Sequence, residues 1–279
     1  MLESESILRF ENVTVSFETA DAIRDMSFDV RKGETRIILG AAGSGKTVLL
    51  KAAIGLESPA SGKVFLFDKE VQHLPEAQLF AVRRQVGMLF QEGALFDSMT
   101  IEHNVAYPLL TRRGIDDAKS GKNGDQPPDQ KEIRAKIKEA LEFVELGQTL
   151  KLYPSELSGG MRRRAAIARA VVTEPPLLLY DSPTAGLDPI TAHTIMALII
   201  KERDLGKTTA LVVTHRYQDG NLVANFRYNS EIGGLEPSEE AAKRTIFMVL
   251  KEGRLVFEGL QAELEACSDE YIGKFVKKD

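Results

Sequence analysis

The octapeptide Gly40-Ala41-Ala42-Gly43-Ser44-Gly45-Lys46-Thr47 sits between two segments of opposite character. Before it, Thr35 to Leu39 grows steadily more apolar and reads as a short buried strand. After it, Thr47 to Ile54 reads as a helix that Gly55 stops, with Pro59 and Gly62 beyond. The pattern G-x-x-x-x-G-K-T, preceded by a strand and followed by a helix, is a phosphate-binding loop. Its glycines let backbone N–H groups turn inward around phosphate oxygens, and the positive end of the following helix adds to the field. Lys46 is placed to reach β- and γ-phosphates, and the Thr47 hydroxyl to ligate Mg²⁺.

The rest of the chain repeats short apolar strands and helices. Val13, Val15 and Phe17 alternate with Thr14 and Ser16, and Phe28 to Val30 runs into a turn at Arg31 to Glu34. From Ile101 to Ser155 the character is mainly helical, with Ile133, Ile137, Leu141 and Val144 at helical spacing within Lys131 to Glu145. Arg112 to Gln130 is rich in Gly, Asp, Lys and Pro and reads as a poorly ordered loop. Met161 to Val172 reads as a helix, Leu177 to Tyr180 and Thr209 to Thr214 as buried strands, and Asp188-Pro189 as a capped helix start. Strands of this kind alternating with helices predict an α/β fold with a parallel sheet covered on both faces.

Composition narrows the partners. With 43% hydrophobic and 28% charged residues, the 279-residue chain has the balance of a globular protein with a sizeable core. A formal net charge of −5 argues against a dedicated nucleic-acid binder. Cys267 is the only cysteine, which excludes an internal disulfide and fits a reducing compartment. Met1 to Ser6 is polar and acidic, unlike a signal peptide, and no apolar run approaches the ~20 residues needed to cross a bilayer. The expectation is a cytoplasmic subunit; at a membrane, a partner would do the spanning.

Two further motifs follow the phosphate loop in order. The strand ending in Leu177-Leu178-Leu179-Tyr180-Asp181 delivers a carboxylate at its C-terminal end, where α/β sheets bind ligands, and Asp181 is placed to hold Mg²⁺ through water. Ser158-Gly159-Gly160 opens a helix: the serine caps it, and the glycines allow close backbone approach. Alone, that turn would be a plain N-cap.

With these three elements in sequence, the chain resembles the nucleotide-binding subunit of ABC transporters over roughly residues 7–260. The resemblance implies a P-loop nucleotide-binding core, an N-terminal antiparallel β subdomain and an inserted helical subdomain near 95–155, with 261–279 as a C-terminal tail. It implies ATP and Mg²⁺ as cofactors, and closure of two such subunits so that each Ser158-Gly159-Gly160 turn presses on the other's nucleotide. Gln91 matches the glutamine that contacts Mg²⁺ and the membrane partner, so Thr47, Gln91 and Asp181 form the expected metal set. Asp188 ends the matching Ala185-Gly186-Leu187-Asp188 loop, and His215 matches the switch histidine near the γ-phosphate. Phe17 matches an aromatic that stacks on adenine; a core position in its alternating strand is the other option. Gly40, Ala41, Ala42, Gly43, Ser44, Gly45, Lys46, Thr47 and Val48 complete the expected nucleotide contacts, and Lys46, Gln91, Asp181, Ser182 and His215 the catalytic positions.

A narrower resemblance rests on Gly93 to Thr100, Glu102 to Leu109 and Gly186 to Thr191, which look like the Mla-type phospholipid transport ATPases. That family drives an integral-membrane permease working with a lipid-carrying MCE protein. The implied role is an ATP-binding subunit for lipid transport, peripheral on the cytoplasmic face of the inner or plasma membrane, paired with itself or a paralogue. Two features depart from the pattern. Ser182 stands where the family has its catalytic glutamate, which predicts slow hydrolysis and opens an alternative, a nucleotide-gated binding module. Arg216 to Thr245 lacks the usual continuation after the switch histidine; a strand-like Leu222 to Tyr228 and a Gly-Gly turn suggest a solvated hairpin. A non-transport ABC-type ATPase is a further alternative. Arg162-Arg163-Arg164 reads as a solvated helix face, and His73, His103 and His193 show no metal-ligand spacing. For the tail, Leu264, Tyr271, Ile272, Phe275 and Val276 leave open docking on this chain or on a partner.

Overall fold

The computed structural model describes residues 5–18, 20–120 and 130–276. In chain order, β1 (Ser6–Phe17) and β2 (Ala20–Arg31) form a hairpin, and β3 (Thr35–Gly40) leads into α1 (Lys46–Ala53). Then come β4 (Ser61–Leu66), β5 (Lys69–Glu70), α2 (Glu76–Arg83), β6 (Val86–Leu89), α3 (Ile101–Ser120), α4 (Gln130–Phe143) and α5 (Gly159–Val171). The second half runs β7 (Leu177–Asp181), α6 (Pro189–Gly206), β8 (Thr209–Thr214), α7 (Tyr217–Asn225), β9 (Phe226–Asn229) and β10 (Gly234–Pro237). It closes with α8 (Glu239–Lys243), β11 (Thr245–Lys251), β12 (Arg254–Gly259), α9 (Gln261–Ala266) and α10 (Glu270–Val276).

The central sheet has strand order β12-β11-β3-β8-β7-β6, parallel throughout except for β12. Its inner strands are apolar runs because both faces are covered. The two-residue pleat sorts their side chains. Ile37, Leu39, Leu178, Tyr180, Val212, Phe247 and Val249 enter a core shared with the α3–α6 side. Ile38, Leu177, Leu179, Leu211, Val213, Met248 and Leu250 enter a second core with α1 and the antiparallel sheet β2-β1-β4-β5. Strand C-termini at Gly40, Leu89, Asp181 and Thr214 therefore end along one edge, where loops can converge.

The helical region packs as its spacing predicts, with Ile133, Ile137, Leu141 and Val144 buried against the first core. Three expectations change. The loop expected from Arg112 is helical as far as Ser120, because extending a nucleated helix costs far less than starting one; residues 121–129 of that segment lie outside the described residues. Leu222 to Asn225 belongs to α7, not to a strand: Val223 and Ala224 face the core and Arg203 donates to the Val223 carbonyl at 2.6 Å. The hairpin itself is present, as β9 and β10 paired from Phe226↔Pro237 to Asn229↔Gly234. Third, Arg163 is buried and Arg164 half-buried, leaving Arg162 on the solvated face. The tail docks on this chain: Leu264 and Ile272 are buried in the first core.

Candidate nucleotide-binding site

The phosphate loop is shaped by what surrounds it. A Cβ at Gly45 would lie 2.3 Å from the Ala22 carbonyl oxygen, and its φ of +98° is one that other residues rarely adopt. Behind it α1 starts with no side-chain cap, so its first N–H groups keep their donors for a ligand. The Lys46 ammonium donates to the carbonyls of Gly40 and Ala41, each at 2.8 Å, and to the Ser44 hydroxyl at 3.3 Å. The loop is thus curled around its own cation. Burial lowers the Lys46 pKa, opposed by the nearby Asp181 carboxylate.

A cavity of about 460 Å³ opens against this loop. Ala42, Gly43, Gly45, Lys46, Thr47 and Val48 form one wall, with Ala22 from β2 beside them. Gln91 from the loop after β6, Ser182 and Ala185 after β7, and His215 after β8 form the other. Four strand ends thus contribute, as in other ligand-binding α/β sheets. Asp181 lies just behind the wall, almost fully buried, and accepts from the Ser182 hydroxyl at 3.2 Å. Ser182 has φ +50°, held by a bond from its N–H to the Val213 carbonyl at 2.8 Å.

The remaining expected residues are elsewhere. Ser158 caps α5, its hydroxyl accepting from the Met161 N–H at 3.2 Å, and Asp188 caps α6 through Ile190 and Thr191, both at 3.0 Å. These caps hold the Asp188 carboxyl below its ordinary range, the Thr191 hydroxyl bond contributing most. Gly160 allows the two helix starts to meet, since a Cβ there would lie 2.5 Å from the Thr191 methyl. None of Ser158, Gly159, Gly160 and Asp188 lines the cavity. Phe17 is 48% exposed at the end of β1, so the core option for it is excluded, and it too lies outside the cavity wall.

Three residues that sequence reasoning missed support the site. Arg163 donates to the Phe90 carbonyl at 3.2 Å and the Ala185 carbonyl at 3.3 Å, joining α5 to the loops carrying Gln91 and Asp188. Its helical spacing to the buried Ala166, Ile167 and Ala170 was the available signal. Asp219, buried on α7, accepts from Thr184 and Thr214. The Tyr271 hydroxyl accepts from the Ala41 N–H at 3.2 Å and donates to the Leu250 carbonyl at 2.9 Å. The bonds that tie these two to the site, from Asp219 to Thr184 and from Tyr271 to Ala41, have no local sequence signal, because they span 35 and 230 positions.

The donor set fits a nucleotide with Mg²⁺. Uncapped helix N–H groups and a lysine suit phosphate, and Thr47, Gln91 and Asp181 offer hard oxygens. Among the described residues no three His, Cys, Asp or Glu side chains gather to hold a metal by themselves.

The family model for ABC transporters matches residues 23–185, more than half of the chain. The chain belongs to the ABC transporter family. It is 38% identical over 224 residues to a methionine import ATP-binding protein of Rhodococcus jostii, covering 78% of this chain and 62% of that one. It is 35% identical over 208 residues to a probable ribonucleotide transport ATP-binding protein of Mycobacterium leprae, covering 75% and 56%. The ABC chain thus spans little more than half the length of the curated relatives it matches. Among solved structures, a dimeric ATP-binding cassette in a post-hydrolysis state with ADP and Pi superposes with a TM-score of 0.74 at 27% identity, covering 91% of this chain and 98% of that one. The α/β fold with an antiparallel β subdomain is that of the ABC cassette.

Proposed function

We propose that this chain is the ATP-binding subunit of an ABC transporter, closing on ATP as a dimer and driving a separate permease. The observation that carries this is the convergence of Lys46, Thr47, Gln91, Ser182 and His215 on one cavity beside an uncapped helix start. The Gly43–Val48 backbone and Lys46 are placed to bind the phosphates; Thr47, Gln91 and Asp181 would hold Mg²⁺, which would neutralise phosphate charge. Phe17, exposed at the end of β1 in the hairpin whose Ala22 borders the cavity, is available to the adenine. His215 orients the attacking water and the γ-phosphate. The Ser158-Gly159-Gly160 turn and Asp188 lie outside the wall of their own cavity, which supports a role at the nucleotide of a second subunit, either an identical copy or a paralogue.

A groove of about 300 Å³ supports the permease as partner. Phe96 and Tyr107 rise into it, their ring centroids 4.9 Å apart, 40% and 43% exposed. Arg83, Arg169 and Pro108 line its sides. The buried Asn104 side chain fixes the loop that presents Phe96, accepting from its N–H at 2.7 Å and donating to the Phe96, Met99 and Thr100 carbonyls. Apolar rings flanked by arginines suit a short amphipathic segment with acidic groups. Among the described residues no helix is long and apolar enough to cross a membrane. We place the subunit on the cytoplasmic face of the inner or plasma membrane. Phospholipid as cargo, with an MCE protein as the lipid carrier, rests on the resemblance of Gly93 to Thr100, Glu102 to Leu109 and Gly186 to Thr191.

Ser182 favours a second function, a nucleotide-gated module with little turnover, because its hydroxyl cannot take a proton from water near neutral pH. The test is reconstitution with the permease in vesicles carrying labelled phospholipid. ATP-dependent movement of lipid supports transport; ATP-driven dimer closure with no movement and no hydrolysis supports the module. Failure to bind ATP at all overturns both.

A further inference from the structure

Two loops of the cavity wall meet on a single oxygen. The Thr184 hydroxyl donates to Asp219 Oδ2 at 2.6 Å, and the Thr214 hydroxyl donates to the same oxygen at 2.7 Å. All three side chains are at most 2% exposed. Thr184 lies in the turn between Ser182 and Asp188, whereas Thr214 ends β8 immediately before His215. The Thr214 hydroxyl also accepts from the Arg216 N–H at 3.1 Å, so it holds the backbone on both sides of His215. Asp219 Oδ1 faces the Arg216 guanidinium at 3.7 Å, and the Asp219 N–H returns to the Arg216 carbonyl at 3.2 Å. The Thr184 turn is held from its other side by Arg163 on the Ala185 carbonyl.

A buried carboxylate is tolerated only when its oxygens are paired, and hydroxyl donors to an ionised acceptor make strong bonds. Asp219 satisfies that rule with donors from two segments that are otherwise joined through the Ser182 N–H and the Val213 carbonyl at 2.8 Å. Core packing alone does not call for this, since α7 already buries Val223 and Ala224. One shared acceptor makes the two loops move together: displacing the Thr184 turn shifts the carboxylate, and with it Thr214.

We propose that Asp219 is a positioning residue that ties the turn leading to Asp188 to the backbone of His215, so that engagement of the Asp188 loop by a second subunit sets the histidine. Asp219 touches no substrate in this scheme and acts through the two threonines. The role in dimer closure rests on the ATP-binding subunit assigned above; the coupling between the two loops does not.

The experiment uses the full chain labelled with ¹³C-histidine. The four histidines, His73, His103, His193 and His215, give few enough ring signals to follow one by one. Without nucleotide, Asp219→Asn, Thr184→Val and Thr214→Val should each move the His215 line and leave the other three in place, with circular dichroism unchanged. Thr184→Val is decisive, because Thr184 lies 31 positions away in the chain and its side chain meets the His215 segment through Asp219, while the Ser182 N–H to Val213 carbonyl bond is left in place by the substitution. In the Asp219→Asn background, Thr184→Val should add no further shift. An unmoved His215 line in folded Thr184→Val, or shifts that add fully in the double variant, would overturn the proposal. If Asp219→Asn does not fold, Thr184→Val paired with Thr214→Val gives the same cycle. With ATP, Thr184→Val should weaken dimer formation about tenfold, the loss of one hydrogen bond to a charged group. A wild-type protein that ignores ATP would sink the functional assignment and leave the nucleotide-free result to decide the coupling.

Discussion

Ser182 donates its hydroxyl to the Asp181 carboxylate at 3.2 Å, so its one proton is committed and the residue following β7 leaves the cavity only a weakly basic oxygen where a base is needed. Asp181, assigned above to Mg²⁺, has its charge committed there and is not free to replace a base. Replacing Ser182 by Glu should raise the steady-state ATPase rate at least ~10-fold, the low end of a general base's contribution being ~10². Turnover measured with purified wild type and variant checks this. Equal rates of several per second in both would show that another group serves as the base.

Lys46→Ala should abolish ATP binding in calorimetry and leave the fold in place. Its ammonium makes hydrogen bonds to two loop carbonyls rather than core contacts, so the stability cost should be about 1 kcal/mol. Retained affinity would refute the phosphate-loop role.

Leu95 and Phe96 should part company. Leu95 packs against the core, whereas Phe96 is exposed in the arginine-flanked groove. Leu95→Asp should destabilise the chain by about 1–3 kcal/mol, the cost of burying an unpaired polar group. Phe96→Asp should leave thermal unfolding unchanged and abolish co-purification with the permease. Loss of fold on changing Phe96 would contradict its surface role.

Glu202 gives stability a pH dependence. Burial, with Glu174 adding to it and Lys201 opposing, pushes its carboxyl up to about 7. Below the unfolded value of 4.5 the carboxyl is protonated in both states and the cost is absent. Between there and about 7 the unfolded chain ionises first, so stability falls as pH rises. At ~1.4 kcal/mol per unit the total is on the order of 3 kcal/mol. Glu202→Gln should flatten this slope in urea titrations from pH 4.5 to 8 and stabilise the chain at pH 8. An unchanged slope would show that Glu202 ionises freely when folded.

Tyr271→Phe should loosen the phosphate loop from the tail. It removes the acceptor of the Ala41 N–H and the donor to Leu250, a loss of about 1–2 kcal/mol. Faster amide exchange at Ala41, with α10 still protected, is the expected result. Unchanged exchange would mean that the loop start is held without the tail.

Elements whose physics is local are legible in the order of the amino acids alone. Glycine spacing, Lys46 and the strand–helix switch around them specify the phosphate loop; apolar runs specify β3, β7 and β8; Ser158 and Asp188 announce the helices that they cap. Tertiary structure decided everything that depends on partners distant in the chain. Arg163 looks like one of three solvated arginines until Phe90 and Ala185 arrive to accept from it. Phe96 and Leu95 are adjacent apolar residues, and only the packing against the core and the Asn104 bonds separates their faces. Asp219 and Tyr271 carry no periodic or motif signal, since their bonds to Thr184 and Ala41 span 35 and 230 positions. Local propensity cannot encode such contacts. They exist because a parallel sheet brings the C-terminal ends of strands far apart in sequence to one edge, where an unpaired buried group must find whatever donor or acceptor the fold delivers.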